Sequence, residues 1–174
     1  MLDRRKFLKY MVAGTTANLA IGCFFSRSTT GQEIELESLC EKFPYNSRCK
    51  NYLPGVRAVD DRGEPIELSS FLEEVKEGIP VAVEGLAKKT YLVIETGPVV
   101  ARYGITPVCT HFGCTVNWIE SQQRFVCPCH GAEYDSQGRV KKGPASRGLP
   151  LVTVVTKQNQ VRLIDRSPAR DPRN

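Results

Sequence analysis

Histidine is nearly missing from this chain. Only His111 and His130 occur among 174 residues, so any imidazole chemistry has to happen at those two positions. Long apolar runs are missing too. The most apolar stretch, Tyr10 to Phe25, is interrupted by Gly14, Thr15, Thr16 and Asn18. A confident membrane span wants roughly 18 or more apolar residues, so this stretch reads as a cleaved signal or a marginal anchor. A basic face is missing from the folded part. The formal charge is +5, but residues 1–30 hold Arg4, Arg5, Lys6, Lys9 and Arg27 against Asp3, a net of +4, which leaves +1 for the rest. That excludes a nucleic-acid footprint, which needs clustered charge on the folded domain. Internal repeats and low-complexity tracts are also lacking. The length then suits one domain with short extensions.

Cysteine, by contrast, is plentiful, with seven in the chain. The N-terminus bears on their redox state. Asp3-Arg4-Arg5-Lys6-Phe7-Leu8-Lys9 followed by the apolar stretch resembles a bacterial twin-arginine export signal. An amphipathic helix packed on the domain is the plainer reading. Export delivers a folded, cofactor-loaded domain to the periplasmic or lumenal side of a bacterial membrane, with the positive flank left in the cytoplasm. In that oxidising compartment Cys40 and Cys49, which flank a short polar segment, are expected to form a disulfide. Cys23 is then the odd thiol. Its context, Leu19-Ala-Ile-Gly22-Cys23, resembles a lipobox, although Ala20 stands where such motifs prefer Leu. A plain apolar cysteine in a signal helix is the alternative.

The chain divides into residues 1–30 as signal or membrane anchor with an apolar helix, 31–55 as a surface linker carrying the Cys40/Cys49 loop, 56–166 as the main domain, and 167–174 as a polar tail. The tail from Arg166 is expected to be disordered and its arginines solubilising. Short β-rich runs fill the domain: Val56–Asp60, Pro80–Glu84, Tyr91–Glu95, Val99–Tyr103, Arg124–Val126, Leu151–Thr156 and Gln160–Ile164. Several alternate, as half-buried strands do. Turn residues such as Thr96-Gly97-Pro98 and Gln158-Asn159 separate them. One or two helical turns are expected at Ser69–Lys76, with Ser70 as cap and Glu73 three residues on. Many short strands predict an all-β antiparallel sandwich or barrel-like fold.

Two cysteine–histidine boxes lie between strands: Cys109-Thr-His111-Phe-Gly-Cys114 and Cys127-Pro-Cys129-His130-Gly131. Together they offer four thiols and both imidazoles. One tetrahedral zinc needs four ligands and would leave two spare. An all-cysteine iron–sulfur site would ignore the histidines. A mixed [2Fe–2S] centre uses two cysteines on one iron and two histidines on the other. It leaves one cysteine per box, and those two could bond to each other.

The boxes resemble the signature of Rieske iron–sulfur proteins. The resemblance runs over roughly residues 56–164 and is most specific from Pro107 to Pro144. The 12-residue gap between the boxes, with Trp118 inside it, is most similar to Rieske subunits of photosynthetic, cyanobacterial-type cytochrome b–f and bc complexes. It implies a Rieske-type antiparallel β-sandwich with a loop-built cluster-binding subdomain at about 107–146. It implies one [2Fe–2S] cluster, with Cys109 and Cys127 on one iron and His111 and His130 on the exposed iron. Cys114 and Cys129 are implied to form a disulfide, and Tyr134 to donate to a ligand sulfur. Gly143-Pro144-Ala145 is implied to cover the cluster. Core packing for Tyr134 and an ordinary turn for Pro144 are the plainer alternatives.

Three departures bear on function. Ala132 stands where quinol-oxidising members usually have Ser, whose hydroxyl stabilises the reduced cluster, so a lower potential is expected. Phe112 stands for the usual Leu beside the exposed histidine. No Gly-rich hinge lies in Ser26–Glu37. The resemblance implies an electron-transfer protein that is exported or membrane-attached through its N-terminus, with a redox protein partner and quinol as a candidate donor. The alternatives are an iron–sulfur subunit carrying electrons from plastoquinol to a cytochrome or plastocyanin, and the small subunit of another exported oxidoreductase. An oxygenase is set aside, because its mononuclear iron needs two further histidines and a carboxylate.

Overall fold

The computed structural model describes residues 30–173. The twin-arginine segment, the apolar helix and anchor, and Cys23 lie outside those residues. No helix among the described residues is long and apolar enough to cross a membrane.

Ten antiparallel strands form two sheets. The larger contains β1 (Val56–Arg57), β2 (Val81–Val83), β3 (Thr90–Glu95), β4 (Val99–Ile105), β9 (Leu151–Lys157) and β10 (Gln160–Ile164), in the order β1-β10-β9-β4-β3-β2. Its two edges meet. Val59 N–H donates to the Glu84 carbonyl at 3.0 Å and Glu84 N–H returns the bond at 2.9 Å. The sheet therefore curls into a barrel and leaves few unpaired edge groups there. β9 and β10 are joined by Gln158-Asn159, both at positive φ (49° and 59°), the two-residue geometry that matches strand twist.

Ala58, Leu92, Ile94, Val100, Val154, Val161 and Leu163 fill the barrel. Helix α2 (Leu68–Glu74) packs Leu68, Phe71 and Leu72 against that core. The Ser70 cap expected from the sequence does not form: the helix begins at Leu68. Asn159 caps it from the β9–β10 turn instead, its carbonyl accepting from Leu68 N–H at 2.9 Å and its Oδ1 from Ser69 N–H at 2.8 Å.

Residues 107–150, between β4 and β9, build the smaller sheet: β5 (Asn117–Ile119), β6 (Arg124–Val126), β7 (Glu133–Tyr134) and β8 (Val140–Lys142), in that order. Strands β5, β7 and β8 were not among the β-rich runs expected from the sequence. The smaller sheet packs on the outside of β3 and β4. Alternation along β4 sends Val100 into the barrel and Ala101 and Tyr103 into this second core; on β3, Leu92 and Ile94 face inward and Val93 outward. Phe125, fully buried, centres the second core, with Tyr91 at 5.0 Å and Trp118 at 4.9 Å between ring centroids.

Both flanking segments differ from expectation. Residues expected as a linker contain helix α1 (Thr30–Lys42). It is polar on nearly every side, so no apolar stripe announced it; the good helix formers Glu and Leu carry it. The stretch after it is docked to the barrel. A disulfide joins Cys40 to Cys49. Lys157 Nζ donates to the Cys49 carbonyl at 2.7 Å, and the Arg102 guanidinium lies 4.2 Å from the Tyr45 ring. At the other end, the expected disordered tail is held. The Arg166 carbonyl accepts from Thr153 N–H, and the Arg173 side chain is packed against the smaller sheet's loops.

Candidate metal centre

The two boxes fold as matching loops. In the first, Cys109 N–H donates to the Cys114 carbonyl (2.8 Å) and Gly113 N–H to the Cys109 carbonyl (2.9 Å). In the second, Cys127 N–H donates to the Ala132 carbonyl (2.8 Å) and Gly131 N–H to the Cys127 carbonyl (3.0 Å). Each loop thus turns on a glycine four residues after its first cysteine, at φ +79° for Gly113 and +69° for Gly131. A Cβ would meet nothing at either position, so the backbone angle, not space, demands glycine.

The disulfide joins Cys114 to Cys129 and ties one loop to the other. The sulfurs of Cys114, Cys127 and Cys129 lie within 4.8 Å of one another, but two are spent in that bond and cannot bind metal as thiolates. The free thiols among the described residues are Cys109 and Cys127, each 2% exposed. Burial pushes the Cys109 thiol up. Hydrogen bonds from the Tyr134 hydroxyl, the His111 and Phe112 backbone N–H groups and Cys127 outweigh that and hold it below its ordinary value. A sulfur surrounded by donors is prepared to carry negative charge.

The His111 and His130 rings stand edge to face, 4.9 Å between centroids. His130 is exposed, whereas His111 Nδ1 is buried and has no hydrogen-bond partner. A buried nitrogen without a partner is costly, and a metal bond at that atom removes the cost. Two buried free thiols and two adjacent imidazoles, one with an orphaned nitrogen, fit a mixed thiolate–imidazole group. Phe112 is 75% exposed and lies against both rings, at 3.9 Å from His111 and 5.8 Å from His130.

Tyr134 is fully buried, its hydroxyl 3.2 Å from Cys109 Sγ. Burial, then the bond to Cys109, raises its pKa above the usual value. Ala132 is also fully buried and offers no hydroxyl. Pro144 is exposed; its neighbour Ala145 is the residue that packs into the core beside Cys109. Sequence reasoning missed Thr110. Its hydroxyl donates to the Arg147 carbonyl at 2.5 Å, and its N–H lies 3.3 Å from the Tyr134 oxygen. A hydroxyl inside the first box was the available signal.

Fold and site together define a class: a small antiparallel β protein whose two disulfide-locked loops gather two free thiols and two imidazoles, a donor set that fits a metal centre. Comparison with known proteins narrows it. The family model for the Rieske [2Fe-2S] domain matches residues 69–156. The cytochrome b6-f complex iron-sulfur subunit of Synechococcus sp. (strain CC9605) is 32% identical over 161 residues, covering 92% of this chain and 83% of that protein. The same-named subunit of Synechococcus elongatus is 44% identical over 108 residues, covering 62% and 60%. Among solved structures, the cyanobacterial plasma membrane Rieske protein PetC3 from Synechocystis PCC 6803 is 34% identical, with a TM-score of 0.41 over 48% of this chain and 84% of that one. This chain belongs to the Rieske [2Fe–2S] family. It is an electron-transfer protein, and it binds one [2Fe–2S] cluster.

Proposed function

We propose that Cys109 and Cys127 hold one iron, that His111 and His130 hold the other, and that the domain works as a one-electron carrier at a membrane. The observation that carries the assignment is the buried, unpartnered Nδ1 of His111 beside two free, buried thiols. When bound, a cluster of mixed ligation supplies one-electron chemistry at roughly −150 to +300 mV, against about −400 mV for all-cysteine plant-type centres. The chain's own residues divide the remaining work. The Cys114–Cys129 bond holds the two loops in register. Tyr134 directs its proton at Cys109 Sγ, and the core around Phe125 excludes water from that side. His130 and Phe112, both exposed, form the contact face for a donor or acceptor.

Ala132 places the working potential below that of Ser-containing relatives, since one sulfur loses a donor. Redox titration of the purified, cluster-loaded chain tests this, and a midpoint as high as theirs in matched buffer defeats it. Cys109→Ser, Cys127→Ser, His111→Ala and His130→Ala should each abolish the reduced-state EPR signal of the wild type. A variant that retains that signal and full iron content removes its residue from the ligand set.

Similarity to cytochrome b6-f subunits along 92% of the chain favours work within a membrane redox complex, with quinol as donor and a cytochrome or plastocyanin as acceptor. Twin-arginine export and attachment through the N-terminus complete this reading, with Cys23 either lipidated or a plain apolar cysteine of the signal helix. Intact mass of the native protein tests cleavage and lipidation together. Co-purification with a cytochrome b from native membranes tests the complex, and its absence at full recovery points to a free carrier.

A further inference from the structure

Beyond β10 the chain returns to the loop that follows the second box. Ser167 Oγ donates to the Leu151 carbonyl at 3.0 Å on the way. Arg173 is then inserted so that its side chain is 10% exposed. Its Nη1 donates to two carbonyls, Gly138 and Leu149, both at 3.1 Å. Its Nε and Nη2 grip the two carboxylate oxygens of Asp171 at 2.9 and 2.7 Å. Burying a guanidinium is costly unless its donors are paired, and here each of its three nitrogens has a partner. The fit is close: a Cβ at Gly148 would lie 2.7 Å from Arg173 Nη1 and 2.8 Å from the Gly138 carbonyl.

Gly138 and Leu149 flank a segment made of β8 and the loop that follows it. Leu149 N–H closes it onto the Gly138 carbonyl at 2.8 Å, and the guanidinium is bolted across that neck. The loop carries the Arg147 carbonyl, which accepts the Thr110 hydroxyl. Thr110 in turn points its N–H at the Tyr134 oxygen. With the Thr110 hydroxyl proton committed to Arg147 and its N–H occupying the phenol oxygen, the phenol proton has Cys109 Sγ, 3.2 Å away, as its nearer acceptor, ahead of the Thr110 oxygen at 3.4 Å.

We propose that Arg173 is a positioning residue for the metal centre: by clamping the neck of segment 139–148 it holds the Arg147–Thr110–Tyr134 relay, and so sets the hydrogen bond on the Cys109 sulfur and the redox midpoint. The proposal rests on Cys109 being an iron ligand. A merely solubilising arginine would change neither the midpoint nor the spectrum.

The experiment uses the full chain loaded with its cluster. Arg173→Ala should lower the midpoint and alter the reduced-state EPR g values at unchanged iron content. Gly148→Ala, whose methyl would crowd both Arg173 Nη1 and the Gly138 carbonyl, should do the same. Arg173→Lys should recover little, because an ammonium cannot hold two carbonyls and a carboxylate in one plane. Exposed Arg170→Ala should sit at the wild-type midpoint. Combined with Tyr134→Phe, the Arg173→Ala shift should largely vanish, since both changes act on one hydrogen bond. A wild-type midpoint in Arg173→Ala at full iron content overturns the proposal. So does a fully additive double variant, or an equal shift in Arg170→Ala. Where Arg173→Ala loses its cluster, Asp171→Asn decides: a lowered midpoint supports the clamp and an unchanged one overturns it. Cys109→Ser with full iron and the wild-type signal defeats the ligand assignment separately.

Discussion

At residue 132 the buried side chain is a bare methyl, and on the Cys109 sulfur the buried Tyr134 hydroxyl is a donor. With Cys109 as the proposed iron ligand, these two positions pull the potential in opposite directions, because the reduced cluster carries one more negative charge than the oxidised one. A donor aimed at a sulfur stabilises the reduced form more. Ala132→Ser should therefore raise the midpoint and Tyr134→Phe should lower it. A hydrogen bond worth about 1 kcal/mol more in the reduced state corresponds to about 40 mV for one electron. Redox titration of the two variants reads both signs, and a rise in Tyr134→Phe would contradict the direction assigned to its proton. Phe112 belongs to the same scale: its ring, three-quarters exposed, lies against both imidazoles.

Among the elements, α2 depends on a residue far away in the chain. Its first two N–H groups are met by Asn159, and a lost cap costs about 1 kcal/mol. Asn159→Ala should lower stability by about that much in chemical denaturation. It also removes a residue suited to positive φ, so a loss near zero would show that the cap contributes nothing. The tail has its own pH dependence. Its Arg173 partner holds the Asp171 carboxyl down at about 2, from an ordinary 3.8. A depressed folded-state pKa means the pair's contribution is complete above about 3.8 and is lost as pH falls towards 2. Amide exchange at Leu149 should accordingly stay slow down to about pH 4 and quicken below it, beyond the intrinsic pH trend. The Asp171→Asn variant should lack that step.

Over the whole molecule, β3 and β4 are buried on both faces, one face in the barrel and the other in the core beneath the metal loops. Neither core can melt without exposing the back of a strand that the other needs. The molecule should therefore unfold in one cooperative step, with the cluster's visible absorbance and the backbone circular dichroism lost at the same temperature. Phe125→Ala, which empties the centre of the second core, should cost about 3–5 kcal/mol. It should shift both signals together. Separate transitions would mean that the metal loops unfold independently of the barrel. The docked segment Cys40–Gly55 adds to this rigidity, because Lys157 and Arg162 fasten its carbonyls to the sheet. A head domain that swings would have to pivot before that segment.

Local chemistry made the candidate site legible in the sequence. Thiols and imidazoles at fixed short spacings need only a tight loop to converge, and Gly113 and Gly131 announce the loops. Longer strands were legible for the same reason: alternation over about five residues, as along Gln160–Ile164 of β10, is a local pattern that burial then obeys. What the tertiary structure alone decided lies in contacts between distant residues. The joining of Val59 to Glu84 that closes the barrel, the cap that Asn159 lends to α2, and the Arg173 clamp on Gly138 and Leu149 leave no trace in neighbouring residues. Helix α1 escaped because a polar helix has no apolar stripe. Which box cysteines stay free is a further tertiary outcome: residue types and spacing left the pairing open, and the fold brings Cys114 against Cys129 while burying Cys109 and Cys127.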